Sequence, residues 1–320
     1  MSSAVIRAPS CVYSSIQTLP SEKDFPLKHA IEYLIFQVLG FIIRLVPFRF
    51  VSRIGSGIGE WTYTKLRYRR SVVTKNLWNA FPELPEVERE RIAVESFRSV
   101  GAAFFEMLWT PKLTSAMMRS LGMIENVEVL QRLKEQGKGI VVVTAHLGAW
   151  EFVSQLYTVH TGETIHVIYK QQSNRRIDTV VKRWRERFGN KAVSMEQAPR
   201  EIFRALSAGG LVGIVGDQSA PQEATRVRFF GREVPTFEGP AIFSLRTGAP
   251  LCVAFIVRRS DGTHAIVIEE IRTSDLQGAS NENVRILTQR HVEATESIIR
   301  KYPGQWMWMH KRWKHVPDRA

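Results

Sequence analysis

The chain has only two cysteines in 320 residues, Cys11 and Cys252. Two cysteines make neither a metal-ligand cluster nor a disulfide framework, which fits a chain facing a reducing compartment. Cys252 lies in the apolar run Pro-Leu-Cys-Val-Ala-Phe-Ile-Val and is expected to be a small buried residue. The first 20 residues are polar, without the apolar core of a secretory signal. No long hydrophobic run occurs either. The uncharged stretch from Tyr33 to Ile43 is too short for a span, which takes about 20 residues. There is no Gly-x4-Gly-Lys-Ser/Thr loop, no His-Glu-x-x-His and no Gly-x-Ser-x-Gly elbow. These absences argue against phosphate-loop, zinc-protease and nucleophile-elbow chemistry. Gly55-Ser56-Gly57-Ile58-Gly59 follows a helical segment rather than a strand, so it is a weak dinucleotide candidate and reads first as a loop or a close helix contact. Acidic residues are outnumbered, with 31 Asp and Glu against 44 Lys and Arg, a net charge of +13. Such a balance suits a polyanionic partner, either nucleic acid or an anionic membrane surface.

What is present favours the membrane. From Ala30 to Phe50, Ile31, Leu34, Ile35, Val38, Ile42 and Leu45 recur at helical spacing on one face. The expectation is a helix lying in or dipping into the membrane interface, with a tilted span or an ordinary core helix as alternatives. Arg44, Arg49, Arg53, Lys65, Arg67, Arg69, Arg70 and Lys75 follow, interspersed with Trp61, Tyr63, Tyr68 and Trp78. Cations with interfacial aromatics compose a surface that meets anionic headgroups and would put the body of the protein on the cytoplasmic side. The chain is accordingly divided into a polar tail at 1–27, a membrane-associated helical segment at 28–60 and a catalytic domain at 61–320.

The remainder alternates strands and helices. Helices are expected at 85–109, 125–136, 148–159, 178–188, 199–208 and 282–301. Strands are expected at 139–145, 164–169, 211–216, 251–257 and 263–269. This pattern predicts an α/β fold with a mostly parallel central sheet flanked by helices. Functional residues in such folds gather at the carboxyl ends of strands, where His146, Lys170 and Asp217 fall.

His146 leads the candidates because it closes the strand at 139–145 and is followed five positions later by Glu151. On a continuous helix those side chains would not meet. With His146 in the turn before the helix, Glu151 is expected to accept its Nδ1–H and leave Nε2 as a base. Amides near Gly148 are candidate oxyanion donors. Spacing alone leaves this open against a satisfied histidine beside a helix-capping glutamate. Without a protein nucleophile in view, His146 is expected to activate a substrate hydroxyl. Asp217 serves either a loop or a ligand. Phe229-Phe230-Gly231 either lines an apolar channel or forms a hairpin with core aromatics. After the last helix, Tyr302 to Lys314 alternates aromatics with cations.

Five ordered blocks carry a resemblance. They are Arg69-x3-Val73-x2-Asn76-Leu77 with Ala80-Phe81-Pro82-Glu83-Leu84; His146-x4-Glu151; Gly216-Asp217-Gln218; Phe229-Phe230-Gly231 with Pro235-Thr236 and Gly239-Pro240-Ala241; and Tyr302-Pro303-x-Gln305-Trp306-x-Trp308-x-His310-x-Arg312-x-Lys314. Over residues 28–315 the chain resembles the bacterial lipid A late acyltransferases, the lauroyl/myristoyl transferase family of the lysophospholipid acyltransferase superfamily. The resemblance implies a glycerolipid-acyltransferase-like fold and an enzyme on the cytoplasmic face of the bacterial inner membrane. It would move an acyl chain from acyl carrier protein, or acyl-CoA, onto a hydroxyl of a lipid A precursor or another membrane glycolipid. No cofactor, metal or nucleic acid is implied. His146 would be the general base and Glu151 its orienting carboxylate. Lys170, Asn174, Asp217, Phe229, Phe230, Gly231, Thr236 and Arg312 would contact substrate. Lys170 stands where the family usually has Arg, and a lysine makes no bidentate grip on phosphate. Gln218-Ser219-Ala220-Pro221 also departs from the common form, which points to another glycolipid or a differently decorated lipid A. A thioesterase, with water as acceptor, and a non-catalytic polyanion binder are the rivals. The basic residues Lys182, Arg183, Arg185 and Arg187 are expected to face an anionic donor.

Overall fold

A computed structural model describes residues 26–317. Residues 1–25, with Cys11 and most of the polar tail, lie outside it. Four helices come first: α1 (Pro26–Leu45), α2 (Phe48–Thr64), α3 (Arg70–Ala80) and α4 (Glu86–Trp109). An alternating series follows: α5 (Ser115–Ser120), β1 (Gly122–Glu125), α6 (Val127–Lys134), β2 (Ile140–Thr144), α7 (Val153–Thr161), β3 (Ile165–Tyr169), α8 (Arg175–Arg185), β4 (Lys191–Ser194), α9 (Ala198–Ser207) and β5 (Leu211–Val215). The chain ends with the hairpin β6 (Arg226–Phe229) and β7 (Arg232–Pro235), then α10 (Gly239–Thr247), β8 (Leu251–Arg258), β9 (His264–Ile271) and α11 (Asn281–Lys301). A strap from Tyr302 to Pro317 follows, bonded to the turn after β2 and to α3 and α4.

The main sheet has the order β1-β9-β8-β2-β5-β3-β4, and every pairing is parallel except β8 with β9. This is the mostly parallel α/β sheet expected from the alternation. Its centre is buried on both faces. Val141 and Val143 belong to one core, while Ile140 and Val142 belong to the other. That explains why β2 reads as an unbroken apolar run rather than an alternating one.

The helix expected at Ala30–Phe50, within the helical segment 28–60, is interrupted at Val46-Pro47, where proline cannot donate to the preceding turn, and a second helix follows. Both helices pack on the body. Phe36 of α1 stacks on Trp184 of α8 at 5.4 Å, and Trp109 Nε1 of α4 donates to Val46 O. The glycine run lies within α2, where Gly55 and Gly59 press against Gly101 and Phe97 of α4 so closely that a Cβ would strike backbone. It is the close helix contact, not a nucleotide loop. Among the described residues, no helix is long and apolar enough to cross a membrane. Cys252 is fully buried in β8, and burial pushes its thiol up to about 12.

Candidate active site

Two neighbouring parallel strands end together. In the register of β2 and β5, Thr144 lies opposite Val215, so the residues two steps beyond each, His146 and Asp217, emerge side by side. Gly216 N–H donating to Thr144 O continues the pairing past the strand ends. His146 Nδ1 is 2.7 Å from Asp217 Oδ1. Asp217 Oδ2 accepts from the His146 backbone N–H at 2.9 Å and from the Trp306 indole at 2.8 Å. With carboxylate on that side, Nδ1 carries the hydrogen and Nε2 keeps its lone pair. The His146 side chain is 19% exposed and that of Asp217 3%. Burial disfavours the imidazolium, yet the charge and hydrogen bond of Asp217, with the charge of Glu151, hold the ring's pKa above its usual value. Burial likewise opposes the Asp217 charge, and His146 with the Trp306 donor outweighs it, drawing the carboxyl down to about 2.

Glu151 is therefore not the residue that takes the Nδ1 hydrogen. The segment after Gly148 is not yet α-helical. It is a short 3-10 turn, Trp150–Phe152, preceding α7, and it aims Glu151 at α8. There Arg185 grips it through two bonds, Nε to Oε2 at 2.9 Å and Nη2 to Oε1 at 2.6 Å. Arg185 also stacks on Tyr169 at 5.2 Å. Burial would raise the Glu151 pKa, but Arg185 holds it below the ordinary value. Arg185 was expected on an open basic face; it points inward. Arg187 is likewise occupied, donating to Leu113 O, while Arg183 remains exposed.

The turn that carries His146 is held by the strap. Leu147 bridges to Trp306, Met307 N–H donates to His146 O, and Gly148 N–H donates to Gln305 O. Of the amides near Gly148, that of Gly148 itself is thus engaged and has no hydrogen to offer an oxyanion. Gly148 has φ +57, and a Cβ there would collide with Ile256 O, so both conformation and space require glycine. Three consecutive residues then face two imidazoles. Asp217 holds His146 Nδ1, Gln218 Nε2 lies 3.4 Å from His146 Nε2, and Ser219 N–H donates to His310 Nε2 at 3.1 Å.

Several residues expected to touch substrate instead build the surroundings. Phe229 and Phe230 are buried against Trp306, Trp308 and Trp313. Phe230 (φ +50) and Gly231 (φ +70) form the two-residue turn of the β6–β7 hairpin. This is the hairpin with core aromatics, not a channel wall. Arg312 is almost fully buried, stacks on Phe229, and donates to Pro235 O and Thr236 Oγ1. Burial lowers its pKa to about 10. Arg312 and buried Thr236 therefore fasten the strap to β7. Asn174 is the N-cap of α8, accepting from Arg176 N and Ile177 N, and its amide donates to His29 O of α1. It is a cap and a tether rather than a ligand contact. Lys170 stands exposed just past β3.

The family described as "Bacterial lipid A biosynthesis acyltransferase" matches residues 21–315. The chain is 28% identical over 281 residues to the lipid A biosynthesis palmitoleoyltransferase of Escherichia coli K12, covering 85% of this chain and 87% of that protein. It is 26% identical over 295 residues to the lipid A biosynthesis lauroyltransferase of the same organism, covering 88% and 90%. A more distant likeness, 22% over 192 residues, covers 59% of the chain and 61% of the phosphatidylinositol mannoside acyltransferase of Mycolicibacterium smegmatis.

Proposed function

This chain belongs to the bacterial lipid A biosynthesis acyltransferase family, and from that premise we propose that it moves a fatty acyl chain from a thioester to a lipid A precursor hydroxyl at a membrane surface, with His146 as base. One observation carries the assignment of the base: His146 Nδ1 is held by Asp217 while Nε2, among the described residues, meets only the long contact from Gln218. An acceptor hydroxyl displaces that contact and gives its proton to Nε2 as its oxygen attacks the thioester carbonyl. Asp217, and the nearby Glu151 charge, stabilise the imidazolium. Collapse breaks the carbon–sulfur bond, and the imidazolium returns the proton to the departing sulfur. Glu151 acts on the base through its charge, with Arg185 fixing its position.

Attachment to a membrane is supported by an apolar surface that the body leaves uncovered. Ile31, Leu34, Ile35, Val38, Phe41, Ile42 and Leu45 of α1 are exposed, as are Phe50, Ile54, Ile58 and Trp61 of α2. Their spacings are helical, so each helix packs inward on one side and presents a stripe on the other. Isolated exposed apolar residues are ordinary; two contiguous stripes beside Lys65, Arg67 and Arg69 suit an anionic bilayer. We place the protein on the cytoplasmic face of the bacterial inner membrane, with acyl carrier protein as donor and acyl-CoA as the alternative. Leu34→Asp with Phe41→Asp should reduce sedimentation with anionic vesicles at least tenfold; unchanged sedimentation contradicts the membrane reading. For the acceptor, mass spectrometry of lipids from cells lacking the protein should find lipid A short of one acyl chain. Unchanged lipid A with an altered second glycolipid selects that lipid instead, a reading favoured by Lys170 and by the mannoside acyltransferase likeness.

A further inference from the structure

A second imidazole stands beside the first and has no role in the scheme above. His310 lies on the strap, and its backbone is held from several sides. Its carbonyl accepts from Asn76 Nδ2 at 2.6 Å and from Arg312 N at 2.8 Å, while Arg69 Nη1 holds the preceding carbonyl of Met309 at 3.0 Å. The strap is in turn hydrogen-bonded to His146 O through Met307 N. The ring is fixed as well. Ser219 N–H donates to Nε2 at 3.1 Å, so Nε2 must offer a lone pair and the hydrogen of the neutral ring sits on Nδ1. That Nδ1 has no protein partner among the described residues. The charge of Asp217, beyond the end of β5, acts on the ring, as do those of His146 in the turn after β2, Arg312 of the strap and Arg69 at the N-cap of α3. Burial, reinforced by the three basic neighbours and opposed by Asp217, lowers the pKa of His310 to about 4, so the ring is a neutral donor at physiological pH.

We propose that His310 is a second catalytic residue, its Nδ1–H donating to the thioester carbonyl oxygen as that oxygen becomes an oxyanion. The inference rests on the acyl-transfer reading above. Two other candidate donors, the Gly148 amide and Arg312, are committed. The Gly148 amide bonds Gln305 O, and both terminal nitrogens of Arg312 bond Pro235 O and Thr236. A neutral donor is also the compatible one. In the transition state His146 is becoming cationic, and a second cation beside it would oppose that change. The electrons balance without His310 exchanging a proton. The acceptor O–H gives its proton to His146 Nε2, the new carbon–oxygen bond forms, and the carbonyl π pair moves onto the oxygen held by His310. On collapse that pair re-forms the carbonyl, the carbon–sulfur bond breaks, and sulfur takes the proton from His146. A preorganised donor aimed at such an oxygen contributes on the order of 10²–10³ in turnover.

Two amide substitutions separate the ring's two edges. His310→Gln puts an amide near the Nε2 position and keeps an acceptor for Ser219 N–H, but removes the Nδ1 donor. His310→Asn puts an amide donor near the Nδ1 position. With a lauroyl thioester as donor and a lipid A precursor as acceptor, His310→Gln should lose roughly 100-fold or more in kcat with KM and Tm near those of the unaltered protein. His310→Asn should recover to within about tenfold. The acidic limb of the kcat profile should keep its midpoint in both, because His310 does not titrate there. Retention of kcat by His310→Gln, or equal loss in both variants at any Tm, overturns the proposal and leaves the ring a packing element. Activity in His146→Ala would instead remove the premise, so the two failures are distinguishable.

Discussion

Replacing Asp217 by Asn changes one atom and tests how the base is made. Asp217 Oδ2 takes two N–H donors, the His146 amide and the Trp306 indole, while Oδ1 takes the hydrogen on His146 Nδ1. An asparagine has only one oxygen to place. With its NH2 toward the two donors, it leaves both of those buried groups unsatisfied, at about 1–3 kcal/mol each. The amide therefore puts its oxygen where Oδ2 was and its NH2 against His146 Nδ1. Nδ1 must then accept, the ring hydrogen moves to Nε2, and the nitrogen facing the substrate is no longer a base. The wrong tautomer and the lost carboxylate charge should reduce kcat by about 10³–10⁴-fold, or about 4–5.5 kcal/mol in the barrier. Loss of the charge-assisted bonds should lower stability by about 1–3 kcal/mol, leaving a folded protein. Nitrogen NMR of the labelled ring reads the tautomer directly, and steady-state acyl transfer reads the rate. Transfer within tenfold of the unaltered protein, with hydrogen still on Nδ1, would show that Asp217 does not set the tautomer.

Other expectations concern the supports of the site. Glu151→Ala leaves Arg185 mostly buried without its carboxylate and should lower stability by about 3 kcal/mol; adding Arg185→Ala should restore part of the Tm but not the activity, and an unchanged Tm in the single variant would make the pair dispensable. Because Asp217 and Glu151 raise the His146 pKa, activity should rise with pH through a midpoint above 6.5, and Glu151→Gln should move that midpoint lower; a midpoint that stays put removes Glu151 from the base. The same shifts set opposite stability windows. The depressed Asp217 carboxyl contributes stability that is present above 3.8 and lost as pH falls toward about 2. The raised His146 contributes stability that is full below 6.5 and lost as pH rises through its folded value, which acid and alkaline denaturation midpoints of His146→Ala check. Gly148→Ala forces a left-handed residue against Ile256 O and should cost roughly 2–4 kcal/mol and most of the activity; near-normal turnover would show that the turn tolerates a different path.

Much of the architecture was readable because periodicity and burial agree. β2, β5 and β8 read as apolar runs, and α4, α9 and α11 fall within a few residues of where their patterns put them. The short elements were not readable. β1 and β4 have four residues each, too few to show a period, and α10 begins at Gly239-Pro240, which reads as a turn. The site was legible in its members but not in its pairing. His146 and Asp217 were both placed at strand ends, yet only the adjacency of β2 and β5 and their register bring them together across 71 positions. Proximity in sequence favoured Glu151, and the 3-10 turn sends it elsewhere. The resemblance marks Arg312 and Asn174 as ligand contacts, and the structure shows them buried and holding backbone. His310 stood in a recognised block, but its free edge depends on a backbone amide, which no side-chain pattern records.

The proposed chemistry is transfer of an acyl chain to a lipid hydroxyl through His146. Purified protein, an acyl thioester and a lipid A precursor in detergent, analysed by mass spectrometry, test it in one reaction. One added acyl chain per acceptor, little free fatty acid and no product from His146→Ala are expected. Free fatty acid formed at the same rate with or without acceptor, or full acylation by His146→Ala, would contradict it.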